Sequence, residues 1–243
     1  MKLLGDYHTH TTYTHGESTV EENIRQAEKL GLKEIAITEH CYKGYNHIKP
    51  GDLEKIKADI ESVKEMYSVK VLLGIEANLM SRDGDLDISE QELQGLDVVI
   101  LGYHRLSDFK GREKWWGIRN FLSKKPNKKL VEINTNAYLK AMDKYRINIL
   151  AHLNYGCYVD CVRLAKECVK RDIYIELNGK RIVFTDQEIK DMVETGVKFL
   201  INSDAHHYTR VAKNSEAFGL IERLNIPHSQ IANLDKVPKF KRG

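Results

Sequence analysis

The chain has 243 residues, a length that suits one barrel-sized α/β domain or two small domains. Apolar residues make up 42% and charged residues 30%, with a net charge of only +3; this is the composition of a globular protein with a sizeable core, and it makes no electrostatic case for a nucleic-acid partner. No apolar run approaches the roughly 18 residues that a membrane span needs, and Asp6 and His8 interrupt the opening MKLLGDYHTH before it can form a signal-peptide core, so the expected location is the cytoplasm.

Along the chain, short runs rich in Val, Ile and Leu alternate with helical spacings. The first strand is a weak one over Leu3–Tyr7, and a stronger one follows at Lys33–Thr38. Between them Thr19-Val-Glu-Glu22 opens a helix as a capping box, and Gly31 closes it. Further strands are expected at Val69–Ile75, Asp97–Gly102, Ile147–Ala151, Ile173–Leu177 and Val197–Ile201. Helical periodicity marks Lys55–Met66, Lys129–Tyr145, Val159–Lys170 and Asp186–Glu194. The strands lack strict polar alternation, as strands covered on both faces do. Strand–helix alternation of this kind predicts a parallel (β/α) barrel with one unit fewer than the usual eight, an open doubly wound sheet being the alternative. No glycine-rich phosphate loop favours a nucleotide-binding version. Cys157, Cys161 and Cys168 share one helical face and read as buried thiols; with no Cys-x-x-Cys pair, a disulfide framework is not expected.

Chemistry concentrates at the expected strand ends. His8 and His10 follow the first strand, with His15 in the next loop. His40, Glu76, His104 and His152 follow the second to fifth, and Asp204 and His206 follow the last. In a parallel barrel these ends open on one face, so residues about 200 positions apart would converge there. A single histidine at a strand end is more often a hydrogen-bonded loop residue than a ligand. So many together, with two carboxylates, would leave many polar groups to satisfy unless a metal cluster held them. Mixed imidazole and carboxylate donors suit Zn, Mn or Fe.

The set Asp6-Tyr-His8-Thr-His10, His15, Thr38-Glu39-His40, Gly74-Ile-Glu76-Ala-Asn78, Gly102-Tyr-His104, Ala151-His152 and Ser203-Asp204-Ala-His206 resembles the polymerase and histidinol phosphatase (PHP) family. The match runs from the first strand to the last. The run Gly74–Asp87 is most similar to the stand-alone YcdX-like phosphatases. The resemblance implies a distorted, TIM-like seven-stranded (β/α) barrel, a single PHP domain over 1–243, and three divalent metal ions. His8, His10, Glu76 and Asp204 would hold the first. His15, His40 and His206 would hold the second. Glu76, His104 and His152 would hold the third, with Glu76 bridging. Asp6 and Glu39, beside ligands, would orient imidazole N–H groups. The sequence departs from the family in having Leu153 after His152 and a longer stretch between His104 and His152.

Within that stretch, 105–127 carries Lys110, Arg112, Lys114, Arg119, Lys124 and Lys125 around Trp115 and Trp116. It reads as an active-site lid with a covering Trp, against a surface loop with one Trp packed into the barrel or a nucleic-acid groove. Arg105, Asn178, Lys180 and Arg181 also follow strands and are candidates for holding substrate phosphate. His207, next to His206, is a candidate to protonate a leaving group, although a surface role is the simpler reading; His47 and His228 match no ligand position. The basic tail 236–243 reads as a frayed terminus.

The expected reaction is hydrolysis of a small phosphate monoester by metal-bound hydroxide. Histidinol-phosphate phosphatase, a stand-alone PHP nuclease, a polymerase-supporting module and a C–N hydrolase are the competing readings. The expected partner is a small phosphorylated metabolite, with nucleic acid and membrane set aside. The resemblance also allows a homo-oligomer.

Overall fold

The computed structural model describes residues 2–44 and 46–241. Seven parallel strands run in sequence order around one sheet: β1 (Gly5–Asp6), β2 (Glu34–His40), β3 (Lys70–Asn78), β4 (Val98–Gly102), β5 (Ile149–Leu150), β6 (Tyr174–Asn178) and β7 (Phe199–Asn202). The sheet nearly closes. Just past β1 and β7 a parallel bridge joins Thr9 to Ala205, with His10 N donating to Ala205 O at 2.8 Å. The result is the distorted (β/α)7 barrel that the strand pattern predicts.

Helices α1 (Val20–Leu30), α2 (Asp52–Val63), α3 (Glu90–Leu93), α4 (Glu113–Leu122), α5 (Lys128–Lys144), α6 (Cys161–Arg171), α7 (Asp186–Glu194) and α8 (Ser215–Leu224) lie along the connections. The capping box of α1 is present, and Gly31 ends the helix at φ 71°, where its N–H reaches Ala27 O and Glu28 O. Thr185 and Glu188 cap α7 in the same way. All four cysteines are free and buried. Among the described residues no helix is long and apolar enough to cross a membrane.

Alternation along the strands sorts the barrel interior into layers. Ala36, Leu72, Val98, Ile100, Ile149 and Leu200 fill the lower interior. Two residues further along β2 and β3, the inward positions become polar: Ala36 pairs with Leu72, Thr38 with Gly74, and His40 with Glu76. The same inward face therefore carries core at one end and chemistry at the other. Ile35, Ile37, Ile75 and Val99 point outward, into the apolar layer beneath α1 and α2.

Two expectations change here. Most of the lid segment 105–127 is α4 and its flanks. Trp116 is buried, its Nε1 donating to Asn134 Oδ1 at 2.7 Å and its ring set edge-on to Tyr103 and Phe109. Several of its charges are paired along the chain surface: Glu113 holds Arg82 and Arg112, and Arg112 also reaches Asp83. The tail is not frayed over its described part. Phe240 sits edge-on to Tyr7, with ring centroids 5.0 Å apart, and Lys241 O accepts from Arg146 Nη1 and Asn148 Nδ2. An aromatic ring that covers the lower end of the barrel gains more from burial than a solvated tail would; Arg242 and Gly243 lie outside the described residues.

Candidate metal centre

Every candidate ligand reaches the C-terminal mouth of the barrel. His8 and His10 are fully buried behind β1. His152 and Asp204 leave β5 and β7 with φ of 31° and 50°, a left-handed backbone that is costly outside glycine and persists where surrounding structure enforces it. These two turns direct the side chains back over the barrel.

Glu76 stands at the centre. Its Oε2 lies 2.7 Å from His40 Nδ1, 3.3 Å from His8 Nε2 and 3.6 Å from His10 Nε2. Its Oε1 lies 2.6 Å from His152 Nε2 and 3.4 Å from His104 Nε2. Asp204 Oδ1 is 3.5 Å from His10 Nε2 and 3.9 Å from His8 Nε2. His15 stacks on His40 at 4.9 Å and meets His206 at 4.2 Å between ring centroids. Three overlapping triads have ligand atoms close enough to share an ion: His8, His10 and Glu76; His10, His40 and His206; His40, Glu76 and His104.

The residues fit metal ions on two grounds. His8 Nε2, His10 Nε2, Glu76 Oε2 and His206 Nε2 are buried without any hydrogen-bond partner, although buried polar atoms are nearly always satisfied. In the first triad Glu76 Oε2 stands 3.3 Å from His8 Nε2 and 3.6 Å from His10 Nε2. Ligand atoms about 2.1 Å from a tetrahedral ion stand about 3.4 Å apart.

The electrostatics of three of the rings agree. Burial, reinforced by neighbouring imidazoles, drives His10 well below the ordinary range and His15 to about 4. Burial likewise takes His104 to about 3 against the pull of Glu76. These rings are neutral, which is the state that binds metal. Burial also opposes charge on His8, but Glu176, Glu76 and Asp204 outweigh it and hold its pKa well above the usual value. For Glu76 and Asp204 burial works upward, yet the surrounding imidazoles pull both well below the ordinary carboxylate range. A pair of ionised carboxylates among imidazoles leaves a negative site for cations.

The supporting contacts differ from expectation. Asp6 accepts from Ser203 N, Ser203 Oγ and Ala212 N, so it pins the β7 loop rather than an imidazole. Glu39 accepts from Thr11 and Thr14, and His10 Nδ1 is 3.9 Å from its Oε2, beyond hydrogen-bond reach; burial pushes its carboxyl up to about 7 despite those donors. The orienting groups are Asn78 and Glu176. Asn78 Oδ1 accepts from His104 Nδ1, which turns Nε2 toward Glu76. Glu176 accepts from His8 Nδ1 at 2.7 Å, His152 N at 3.0 Å, Asn178 Nδ2 at 2.9 Å and Asn202 Nδ2 at 3.1 Å. Sequence reading passed over Glu176. Its signal was a lone carboxylate on the inward register of an otherwise apolar strand, IYIEL. Glu176→Gln keeps the shape but turns an N–H₂ toward groups that only donate. It is expected to weaken metal binding 10–100-fold, as losing such a support typically does, read by competition with a chromogenic chelator.

Beside the cluster lies a cavity of ≈ 300 Å³ whose wall includes Lys43, Arg105, Lys180 and Tyr155. Of the expected substrate contacts, Arg105 and Lys180 line it; Asn178 and Arg181 do not. Asn178 is buried, and its amide bridges Glu176 and Asp204. Arg181 lies over the Tyr155 ring, 4.2 Å from its centroid. Neither Trp115 nor Trp116 reaches the cavity wall. His207 is turned to Thr209.

A parallel barrel with a histidine–carboxylate cluster at its strand C-termini defines a metal-dependent hydrolase. The PHP domain family model matches residues 6–180. A probable phosphatase of Caldanaerobacter subterraneus subsp. tengcongensis is 31% identical, covering 99% of this chain and 91% of that one. A probable phosphatase of Clostridium acetobutylicum is 28% identical, covering 97% and 92%. The chain belongs to the PHP domain family. Its fold is shared by histidinol phosphate phosphatase from Lactococcus lactis, in complex with zinc, L-histidinol and phosphate (TM-score 0.62, 16% identity, 99% and 98% covered). It is also shared by a chain in archaeal ribonuclease P with mature tRNA (TM-score 0.52, 15% identity, 92% and 84% covered). That second likeness overturns the expectation that set nucleic acid aside: the same barrel occurs in an assembly carrying RNA, so neither fold nor net charge argues against such a partner.

Proposed function

We propose that this chain is a metal-dependent phosphoesterase that hydrolyses a small phosphate monoester. The observation that carries the reading is Glu76, buried and faced by imidazoles on both carboxylate oxygens. We assign three divalent ions: one to His8, His10, Glu76 and Asp204, one to His15, His40 and His206, and one to Glu76, His104 and His152. The donor set suits Zn, Mn or Fe. When bound, such ions act as Lewis acids on phosphoryl oxygens and lower the pKa of water toward neutrality.

The chain's own groups do the rest. Lys180, whose Nζ lies 3.9 Å from Asp204 Oδ2 and 3.4 Å from His206 Nδ1, holds the phosphate from the β6–β7 side. Arg105 donates through Nε to Gly156 O, which leaves the outer guanidinium nitrogens for the ester. Asn178 keeps Asp204 in place. The run Gly74–Asp87 supports placing the chain among the YcdX-like phosphatases, with one PHP domain over its length.

The test is metal content of the purified protein with p-nitrophenyl phosphate turnover before and after chelation. Two to three ions per chain and chelator-sensitive turnover are expected, three filling every assigned position. Metal without turnover of this ester or of L-histidinol phosphate would move the reading to single-stranded DNA or C–N substrates, each to be assayed in the same preparation. A protein that retains no metal under any reconstitution would end it.

A further inference from the structure

His47 matches no ligand position, yet it stands on the wall of the cavity beside the metal centre. It also stands on the wall of a second groove of ≈ 480 Å³, lined by Tyr42, Ile48, Lys49, Pro50 and Glu54 among others. Apart from Lys43, it is the one described residue common to both walls. Lys43 and His47 are therefore where the two spaces border each other. A phosphate ester spanning them puts phosphorus against the metal ligands and its organic part in the groove. The scissile oxygen is then at the junction.

The ring is prepared for a proton transfer. His47 Nδ1 lies 2.6 Å from Gly44 O. A carbonyl only accepts, so Nδ1 carries the hydrogen and Nε2 is the atom left to exchange a proton. The side chain is exposed, so solvent can restore that proton after each turnover. His207, the expected alternative, has its Nδ1 on Thr209 and does not line the cavity.

We propose that the groove is the leaving-group subsite and that His47 is the proton donor to the leaving alcohol; this rests on the phosphoesterase reading. As the P–O bond to the alcohol breaks, its electron pair goes to the alcohol oxygen, which takes the proton from Nε2. Water supplies the new P–O bond, and its proton returns to solvent and thence to His47. The subsite takes the ester of a basic alcohol, the leaving group that needs an acid.

The experiment compares two esters of similar size on the metal-loaded protein. p-Nitrophenyl phosphate leaves as a stabilised anion and needs no acid, whereas benzyl phosphate leaves as an alkoxide. His47→Gln retains an N–H for Gly44 O but cannot cycle a proton, and His47→Ala removes both. Each is expected to lower kcat/KM on benzyl phosphate about 100-fold or more while changing p-nitrophenyl phosphate by no more than about threefold. Metal content is expected to match wild type. Lys43→Gln, which removes a positive charge from the same junction, is expected to lower both esters alike. Equal losses on both esters in the His47 variants, no loss on either, or benzyl-selective loss in Lys43→Gln overturns the proposal. Wild-type protein that turns over neither ester overturns the phosphoesterase reading and this proposal together.

Discussion

Glu76→Gln is expected to reduce turnover at least about 1,000-fold and to lower the metal content of the purified protein, with the far-UV circular dichroism unchanged. Among the described residues the carboxylate alone faces imidazoles from both ends of the cluster, with His8, His10 and His40 on Oε2 and His104 and His152 on Oε1. Glutamine conserves volume but has one acceptor oxygen in place of two and carries no charge. The amide nitrogen would face imidazole nitrogens that are meant to bind metal. The barrel should survive the change, because its strands are held by ladder hydrogen bonds and by apolar layers on both sides of the sheet. Metal analysis and p-nitrophenyl phosphate kinetics on the same sample check it. A variant with wild-type metal content and turnover would remove Glu76 from the centre of the site.

The barrel was legible because its signal is repetitive. Short β-branched runs recur, with a His or carboxylate just beyond all but the sixth, and one face rule collects them. What was not legible depends on register and on burial. Glu176 lies inside a strand, where a charged residue looks like an ordinary outward position until pairing with Leu200 puts it on the inner face. Asn178 and Arg181 follow that strand as Lys180 does, yet only Lys180 reaches the cavity; the turn spends Asn178 on its own backbone, accepting from Lys180 N and Arg181 N. Which of Trp115 and Trp116 packs, and that Phe240 packs at all, was hidden by their basic neighbours. Trp116 and Phe240 are each an aromatic ring that found an apolar partner while the charges around it stayed in solvent.

Gly102→Ala should be strongly damaging to the metal centre although Gly102 is not itself a proposed ligand. A Cβ built at Gly102 would lie 2.8 Å from Glu76 Oε1, 3.1 Å from His152 Cε1 and 3.3 Å from His104 Cε1. The first distance is too short, and the carboxylate has nowhere to move. It is fully buried, its Oε1 is bound to His152 Nε2 at 2.6 Å, and its Oε2 is 2.7 Å from His40 Nδ1. The added methyl must therefore displace Glu76, His152 and His104 together. Overpacking of this kind costs about 1–3 kcal/mol. The barrel can bear that, but the ions cannot, since their ligands must hold position to within about 0.5 Å. The expected result is a folded protein whose metal content drops and whose kcat/KM falls at least about 100-fold, a misplacement effect of the size that a 1 Å shift produces. Thermal denaturation with and without added zinc separates the two consequences. Wild-type protein should gain stability from the ion, because anything that binds only the native state raises its melting temperature. The variant should gain little. If instead Gly102→Ala keeps its full zinc-dependent stabilisation, the ions do not sit above β4, and the assignment of His104 and His152 to the same ion as Glu76 fails.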